Sequence, residues 1–225
     1  MFLIAIQEDL AKHTMRIKNS DQVLDSWWSD FNRVPTLRSN KIKNLILNNE
    51  GFNWGLLNLA FPEKSSLRLA NIIDNDISDD SDLWWNEERK EHLYEQMSES
   101  HKLDLHKMLQ GTSYSYGTVY RRMRKGRSMA ELRTDGFAGC LRTPKGGSSK
   151  QIVIRAGENK WSVRLLTPRE YARLQGVRES FKLPSNSNKG YFAMGDAVCV
   201  PVIEYIAENI LDKIYENYRK KTLKI

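Results

Sequence analysis

The chain has 225 residues, with 35 Lys or Arg and 28 Asp or Glu, so its formal net charge is +7. Its length allows one sizeable domain or two small ones. Two cysteines, no export signal and no long apolar run argue against a disulfide-stapled secreted protein and against a membrane partner, so we expect a cytoplasmic protein. The four histidines show no metal-ligand spacing with the cysteines, and we expect no metal site.

The chain begins with an apolar run of strand length. Residues 1–6 read MFLIAI and are followed by polar residues, a pattern typical of a buried strand. The run is too short for a signal peptide and has no basic residues before it.

An acidic stretch lies in the middle of the chain. Residues 71–110 hold eleven acidic and four basic side chains. Residues 83–109 are predicted to be mainly helical, and such a helix is more often core than functional. Its charge should keep it on the face away from phosphates. Its possible core anchors are Trp84, Trp85, Leu93, Met97 and Leu103.

Nearly all of the net positive charge lies in the next segment. Residues 111–160 hold eleven Lys or Arg and three acidic residues, a net charge of +8 against +7 for the whole chain. Concentrated basicity favours a polyanion partner, because neutralised phosphates release counterions. Tyr114, Tyr116 and Tyr120 lie next to the arginine cluster, where rings pack on sugars or bases.

The same segment contains a glycine-rich stretch, residues 140–149, which reads CLRTPKGGSS. Glycines allow close backbone approach to a ligand, and hydroxyl and basic side chains donate to phosphates and base edges. The alternative is a hairpin on a basic surface with no base reading, and the charge concentration favours DNA contact over it. The candidate DNA-binding residues are Arg121, Arg122, Arg124, Arg142, Thr143, Lys145, Gly146, Gly147, Ser148 and Ser149.

Residues 164–176 read RLLTPREYARLQG and predict a short capped helix. Thr167 fits the N-cap, Pro168 the first helical position and Glu170 the capping-box position. Gly176 suits the left-handed residue that ends a helix. By itself this pattern indicates a structural helix that fixes one domain against another. Its expected packed face is Tyr171, Ala172 and Leu174, with Arg169 and Arg173 left to reach other partners.

Residues 195–202 read GDAVCVPV and predict the start of a longer helix. Asp196 is a suitable N-cap, and Pro201 should kink or locally unwind the helix. Apolar residues recur at helical spacing along its expected stripe, at Val198, Val202, Ile206, Ile210 and Ile214.

In order, spacing and chemistry, these two segments resemble the ninth and tenth motifs of DNA cytosine-5 methyltransferases. That family transfers a methyl group from S-adenosylmethionine to carbon 5 of cytosine. The resemblance implies that Gly195, Asp196, Ala197 and Val198 are cofactor-pocket residues. Asp196 stands where the family usually has Asn. The aspartate adds a negative charge and lacks the amide donor of asparagine.

Residues 133–149 resemble the target-recognition domain of a subset of the family. Many members carry a Thr-Leu pair that helps hold the backbone of the extruded cytosine. Cys140-Leu141 stands at that place, which leaves Thr143, Ser148 or no residue to supply the hydroxyl.

Other motifs of that family do not occur in these 225 residues. There is no Pro-Cys nucleophile, no Gln-x-Arg-x-Arg segment and no glycine-rich cofactor loop, and Glu208-Asn209-Ile210 only resembles the family's Glu-Asn-Val segment. Cys140 and Cys199 are expected to be small packed residues, so no catalytic residue is assigned to this chain. The family's mechanism is base flipping, thiolate attack at carbon 6, methyl transfer to carbon 5 and elimination.

The resemblance implies an α/β fold, the C-terminal portion of an S-adenosylmethionine-dependent, Rossmann-like methyltransferase with an inserted mixed α+β target-recognition domain. Residues 1–20 would be the last strand region of the catalytic domain, 21–160 the recognition domain, and 161–225 the return to the catalytic domain through two motif helices. A buried parallel strand without neighbours exposes unpaired backbone groups, so residues 1–6 are expected to need a partner.

We therefore consider three hypotheses. The first is the smaller, recognition-bearing subunit of a split restriction-modification methyltransferase, acting on double-stranded DNA. A larger subunit with the Pro-Cys, Glu-Asn-Val and Gln-x-Arg-x-Arg motifs would supply the nucleophile and share S-adenosylmethionine. The second is an inactive, truncated remnant. The third is a stand-alone DNA-binding regulator, against which the unpaired N-terminal strand argues.

Overall fold

The computed structural model describes residues 2–6, 16–18, 39–49, 53–57, 65–124, 126–144 and 150–212, and also 29, 32, 62, 214–216 and 219. The chain divides into two compact units, one of Met1–Lys64 with Ile203–Ile225 and one of Ser65–Val202. The expected division at residues 20 and 160 stays a prediction.

The first unit contains a three-stranded antiparallel sheet, in the order β1–β3–β2. Its strands are β1 (Phe2–Ile6), β2 (Arg16–Lys18) and β3 (Asn53–Leu57). The strand expected at the N-terminus is confirmed. The expectation that it has no neighbour is wrong, because β1 pairs with β3 along its whole length. Helix α1 (Asn40–Leu47) also belongs to this unit and buries Ile46.

The second unit is built on a four-stranded antiparallel sheet, in the order β5–β4–β6–β7. The strands are β4 (Ser115–Arg124), β5 (Arg127–Arg133), β6 (Ile152–Gly157) and β7 (Lys160–Leu165). Glu158 and Asn159 join β6 to β7 with φ of 53° and 59°, as a two-residue hairpin turn requires. The chain is thus mixed α/β, while the Rossmann-like portion and the inserted recognition domain stay predictions.

One face of this sheet is covered by α3 (Glu87–Glu95) and α4 (Glu99–Leu109). Leu93 and Leu105 pack there with Val119, Leu132 and Ile154 in one buried cluster. Because strand side chains alternate between faces, Tyr120 and Arg122 lie on the opposite face. The acidic helices therefore pack on the face of the sheet that carries Val119.

The helix expected over residues 83–109 is interrupted. Residues 96–98 separate α3 from α4, because the carbonyl of Gln96 accepts a hydrogen bond from the Ala130 N–H on the edge strand β5. Leu93 and Met97 are buried as expected, and Trp84 and Trp85 are half-buried. The expectation for Leu103 is wrong, since that residue is 61% exposed.

The opposite face of the sheet carries α2 (Leu69–Ile72), α5 (Pro168–Leu174) and α6 (Ser187–Asp196). Leu69, Val153, Tyr171, Tyr191 and Met194 form its buried cluster. Strand β6 is buried on both sides, since Ile152 and Ile154 point toward the first cluster and Val153 toward the second. Both sequence motifs therefore belong to one layer of the second unit.

Helix α7 (Val200–Ile206) follows α6 and leads into a short π-helical stretch, Ala207–Leu211. Within the described residues, Ser187–Glu216 is a stretch long and apolar enough to cross a membrane by length and composition. It is weak evidence for a membrane span, because residues 197–199 are not helical.

Candidate nucleic-acid interface and cofactor loop

The first motif folds into the capped helix that its residues predict. The Thr167 hydroxyl accepts a hydrogen bond from the Glu170 N–H at 3.2 Å, and the Glu170 carboxylate accepts from the Thr167 N–H at 2.6 Å. Gly176 has a φ of +74°, the left-handed conformation that ends the helix. The capping box, the helix end and the packed face of Tyr171, Ala172 and Leu174 are confirmed.

Glu170 also forms a buried ion pair that the capping pattern does not indicate. Its two carboxylate oxygens accept from the Arg164 guanidinium at 2.6 and 2.7 Å, with side-chain exposures of 0% and 1%. The Asp74 N–H donates to the same carboxylate at 2.8 Å. A buried charge needs such a complete set of partners, so Glu170 holds three separate segments of the chain together.

The two arginines left over on this helix bind within the protein. Arg169 donates to the Phe181 carbonyl at 2.7 Å, and Arg173 donates to the Ile72 carbonyl at 3.0 Å. Arg173 also binds the Glu179 carboxylate at 2.7 Å, and this hydrogen bond lowers the pKa of Glu179. Their role in this structure is to fix neighbouring segments.

The second motif does not begin a helix at Asp196. Helix α6 ends at Asp196, the chain is extended at Ala197, and α7 begins at Val200. The N-cap prediction is wrong because the residues before Asp196 already form a helix, capped by the Asn186 side chain. Pro201 lies in the first turn of α7, where its missing N–H breaks no helical hydrogen bond, so the expected kink has no cause there.

Gln175 joins the two motifs. Its side-chain amide donates to the carbonyls of Met194 at 2.9 Å and Ala197 at 3.2 Å. Its own carbonyl accepts from the Val200 N–H at 2.8 Å. The end of the first motif helix therefore fixes the loop between α6 and α7.

A basic cavity of about 580 Å³ lies where Tyr120 and Arg142 meet. The Tyr120 ring centroid is 5.2 Å from the Arg122 guanidinium carbon and 6.0 Å from that of Arg142. A concave surface with several cations and an aromatic ring suits a phosphate backbone with bases attached. Its lining residues are His101 of helix α4, Thr118, Tyr120, Arg122, Glu131, Leu132, Arg133, Gly139, Cys140, Arg142 and Gln151.

Glu131 pairs with two of the candidate DNA-binding arginines. Its carboxylate lies 3.2 Å from Arg122 Nε and 3.0 Å from Arg124 Nη2. Both arginines are exposed, and exposed ion pairs contribute little stability. A phosphate group that approached them would therefore compete with Glu131 for the same donors.

Arg121 lies apart from this cavity. Its backbone pairs with Ala130 of the first buried cluster, and strand alternation places its side chain on the face of Val119. Burial lowers the pKa of its guanidinium. Arg121 and Arg122 are thus adjacent in sequence but point to opposite faces of the sheet.

The remaining candidates divide into residues with internal partners and residues outside the described chain. The Tyr116 hydroxyl donates to the Asn75 side chain at 2.8 Å, and the Tyr114 ring lies under Arg155. The predicted DNA-binding residues Lys145, Gly146, Gly147, Ser148 and Ser149 lie outside the residues that the structure describes.

The predicted cofactor residues Gly195 and Asp196 contact Arg142 and Thr143. These two residues belong to the glycine-rich stretch 140–149, which we call the recognition segment. The Thr143 hydroxyl donates to the Asp196 carboxylate. A Cβ atom on Gly195 would lie 2.5 Å from the Thr143 nitrogen and 2.6 Å from the Arg142 carbonyl carbon, which leaves no room for a side chain. The second motif therefore touches the edge of the basic cavity.

Of the four predicted cofactor residues, Asp196 and Val198 are exposed, whereas Gly195 and Ala197 are half-buried. Val198 is 60% exposed although it is apolar, and Ala197 is half-buried at the end of α6. Gln175 holds this loop in place, and a cofactor role for Ala197 and Val198 stays a prediction. Gly195 does not fit as a ligand contact at its Cα, because the recognition segment occupies that space.

The two cysteines differ in exposure. Cys140 is exposed and lines the cavity, whereas Cys199 is half-buried. The expectation that Cys140 is packed is wrong, because Gly139 and Cys140 form part of the cavity wall. Among the described residues, no group of three His, Cys, Asp or Glu side chains is placed to hold a metal ion.

A profile of C-5 cytosine-specific DNA methylases matches residues 1–212. The chain belongs to this family. Type II methyltransferase M.HpaII of Haemophilus parainfluenzae is 37% identical over 65 residues, which are 29% of this chain and 18% of that protein. Type II methyltransferase M.NlaX of Neisseria lactamica is 42% identical over 62 residues, 28% of this chain and 19% of that protein. Type II methyltransferase M1.ScrFI of Lactococcus lactis subsp. cremoris is 47% identical over 49 residues, 22% of this chain and 13% of that protein.

The chain thus matches a fifth or less of the length of these methylases. Within this chain, sequence patterns did not identify Glu131, Gln175 or the Arg164–Glu170 pair. Glu131 had one visible signal, since it is the single acidic residue between Arg121 and Arg133.

Proposed function

We propose that this chain is the DNA-recognising part of a restriction-modification DNA cytosine-5 methyltransferase, and that a separate chain supplies the catalytic cysteine. The observation that carries the proposal is the contact of Gly195 and Asp196 with Arg142 and Thr143. It joins the segment that resembles the family's cofactor motif to a basic cavity suited to DNA.

Double-stranded DNA is the proposed substrate. Arg122, Arg124 and Arg142 neutralise phosphates, and the first two exchange Glu131 for a phosphate oxygen. The Tyr120 ring lies near both Arg122 and Arg142, where it packs on a sugar or a base of the bound DNA. Contacts in the cavity add binding affinity and fix the position of the protein along the duplex.

S-adenosylmethionine, the methyl donor of the family, supplies the methyl group when bound. In this chain Ala197 and Val198 form one wall of its pocket, and Gln175 holds that wall in place. Gly195 and Asp196 connect the wall to the recognition segment. The partner chain completes the pocket.

The nucleophile comes from the partner chain. Cys140 follows Gly139 and Cys199 follows Val198, so neither stands in the Pro-Cys context of the family. The partner carries the Pro-Cys, Glu-Asn-Val and Gln-x-Arg-x-Arg segments, and the complex acts in the cytoplasm. This chain alone binds DNA but does not methylate it.

Co-expression with a polypeptide that carries those three segments tests the proposal. Bisulfite sequencing of the host DNA is expected to show 5-methylcytosine only when both chains are present. A partner whose Pro-Cys cysteine is replaced by serine is the control and should leave the DNA unmodified. An unmodified genome with both intact chains, purified as a stable pair, would indicate an inactive remnant instead.

A stand-alone DNA-binding regulator is the second candidate, and the pairing of β1 with β3 favours it. That pairing gives the N-terminal strand a partner within the chain, which removes the main sequence argument against this alternative. Tight binding of one duplex sequence by the isolated chain, with no gain from the partner polypeptide, would support it.

A further inference from the structure

Gly195 is packed against the backbone of the recognition segment. The position of a Cβ atom there lies 2.5 Å from the Thr143 nitrogen and 2.7 Å from the Arg142 carbonyl oxygen. The end of helix α6 and the Arg142–Thr143 backbone are therefore in direct contact, and this contact excludes every residue larger than glycine.

A side-chain hydrogen bond reinforces this contact. Asp196, the last residue of α6, accepts from the Thr143 hydroxyl. The bond joins residues 53 positions apart in sequence, and its acceptor is a carboxylate, which makes it stronger than a bond between neutral groups. Asp196 is exposed and Thr143 half-buried, so the bond lies at the edge of the protein.

Arg142 connects this contact to the basic cavity. Its guanidinium lies near the Tyr120 ring and lines the basic cavity, while its carbonyl lies against Gly195. We propose that Asp196 and Thr143 form a latch that positions Arg142 for DNA binding. Asp196 is then a positioning residue, and its carboxylate acts through Thr143 and not by touching DNA.

The proposal rests on the DNA-binding function proposed above and is tested with the full chain. The probe is a fluorescein-labelled, mixed-sequence duplex that contains cytosine, and anisotropy is measured over a salt series. Thr143→Val and Asp196→Leu remove the hydroxyl and the carboxylate while keeping the branched shape of each side chain. Each is expected to weaken DNA binding by about three- to tenfold, as the loss of one hydrogen bond would.

Two further readouts separate positioning from a general loss of stability. The slope of log affinity against log salt should fall by about 0.9 in both variants, as it would in Arg142→Ala, because one phosphate contact is lost. The double variant should bind no more weakly than either single one, because both changes break the same latch. Thr143→Ser and Asp196→Asn keep a donor and an acceptor and should restore most of the affinity.

Each outcome decides between the two proposals. Wild-type chain that does not bind the duplex would contradict the proposed function and the latch together. Wild-type binding with unchanged affinity in Thr143→Val and Asp196→Leu would overturn the latch alone. Tighter binding by Asp196→Leu would also overturn it, since it would show that the carboxylate only repels phosphates. Thermal unfolding of every variant identifies any that do not fold. If the Asp196 variants fail to fold, the affinities of Thr143→Val and Thr143→Ser decide whether the latch exists.

Discussion

The hydroxyl oxygen of Tyr171 accepts a hydrogen bond from the Gln151 N–H at 2.5 Å, and each of the two residues is 1% exposed. The bond connects the first motif helix to the residue that precedes β6. Burial raises the pKa of Tyr171 from its ordinary value of 10.0 to about 12. The helix therefore contributes a pH-sensitive group to the core of the second unit.

Tyr171→Phe should change the alkaline stability of the protein. The folded state raises the pKa of Tyr171, so the protonated hydroxyl contributes fully to the free energy of unfolding below pH 10.0. That contribution is lost as the pH rises to about 12. The free energy of unfolding in urea should fall less steeply over that window in the variant than in the wild type. At neutral pH the variant should be less stable by about 1–3 kcal/mol, since the Gln151 N–H loses its acceptor. Tyr114→Phe, at an exposed ring, is the control and should leave both quantities unchanged.

Glu170→Gln and Glu179→Gln remove the same charge from two glutamates that each bind an arginine. Glu170 is fully buried and its loss leaves Arg164 as an uncompensated buried charge, which should cost about 3–5 kcal/mol. Glu179 is 63% exposed, so its replacement should cost about 0–1 kcal/mol. Urea unfolding measures both, and equal costs would show that the Arg164–Glu170 pair is not a main support of the motif helix.

Glu131→Gln should strengthen non-specific DNA binding. The substitution releases Arg122 and Arg124 from an exposed ion pair, so affinity should rise by about two- to fivefold and the salt dependence should become steeper. Glu158→Gln, in the turn between β6 and β7, changes the charge equally and is the matched control. If both variants gain the same affinity, only net charge matters and Glu131 does not compete with phosphate.

Arg142→Ala should weaken DNA binding and reduce the salt slope by about 0.9, as the loss of one phosphate contact predicts. Lys107→Ala, on helix α4 on the other side of the sheet, should change neither quantity. An unchanged slope in Arg142→Ala would remove Arg142 from the phosphate contacts. Fluorescence anisotropy with a labelled duplex over a salt series measures both variants.

Local patterns predicted some features well. The Thr167–Glu170 capping box and the left-handed Gly176 were predictable because their partners lie within a few residues along one helix. The helix start at Asp196 was mispredicted because Asn186 caps an earlier helix that reaches that residue. A capping residue has the same appearance in the sequence whether a helix begins or ends there.

The candidate site was predictable only in part. The basic segment made Arg121, Arg122, Arg124 and Arg142 candidates, but the sequence could not show that Arg121 points to the other face. The side of the sheet follows from strand register, and register depends on pairing with β5 and β6. Likewise, Glu131 is an ordinary acidic residue until the β4–β5 hairpin places it beside two arginines.

The sequence by itself determined the family resemblance, the concentration of charge in residues 111–160 and the capped motif helix, because these depend on residue identity and short-range contacts. The tertiary structure alone decided the buried Arg164–Glu170 pair, the two faces of β4 and the contact between Thr143 and Asp196. The groups in these contacts are brought together only when the chain folds. Their separation along the sequence does not predict their distance in space.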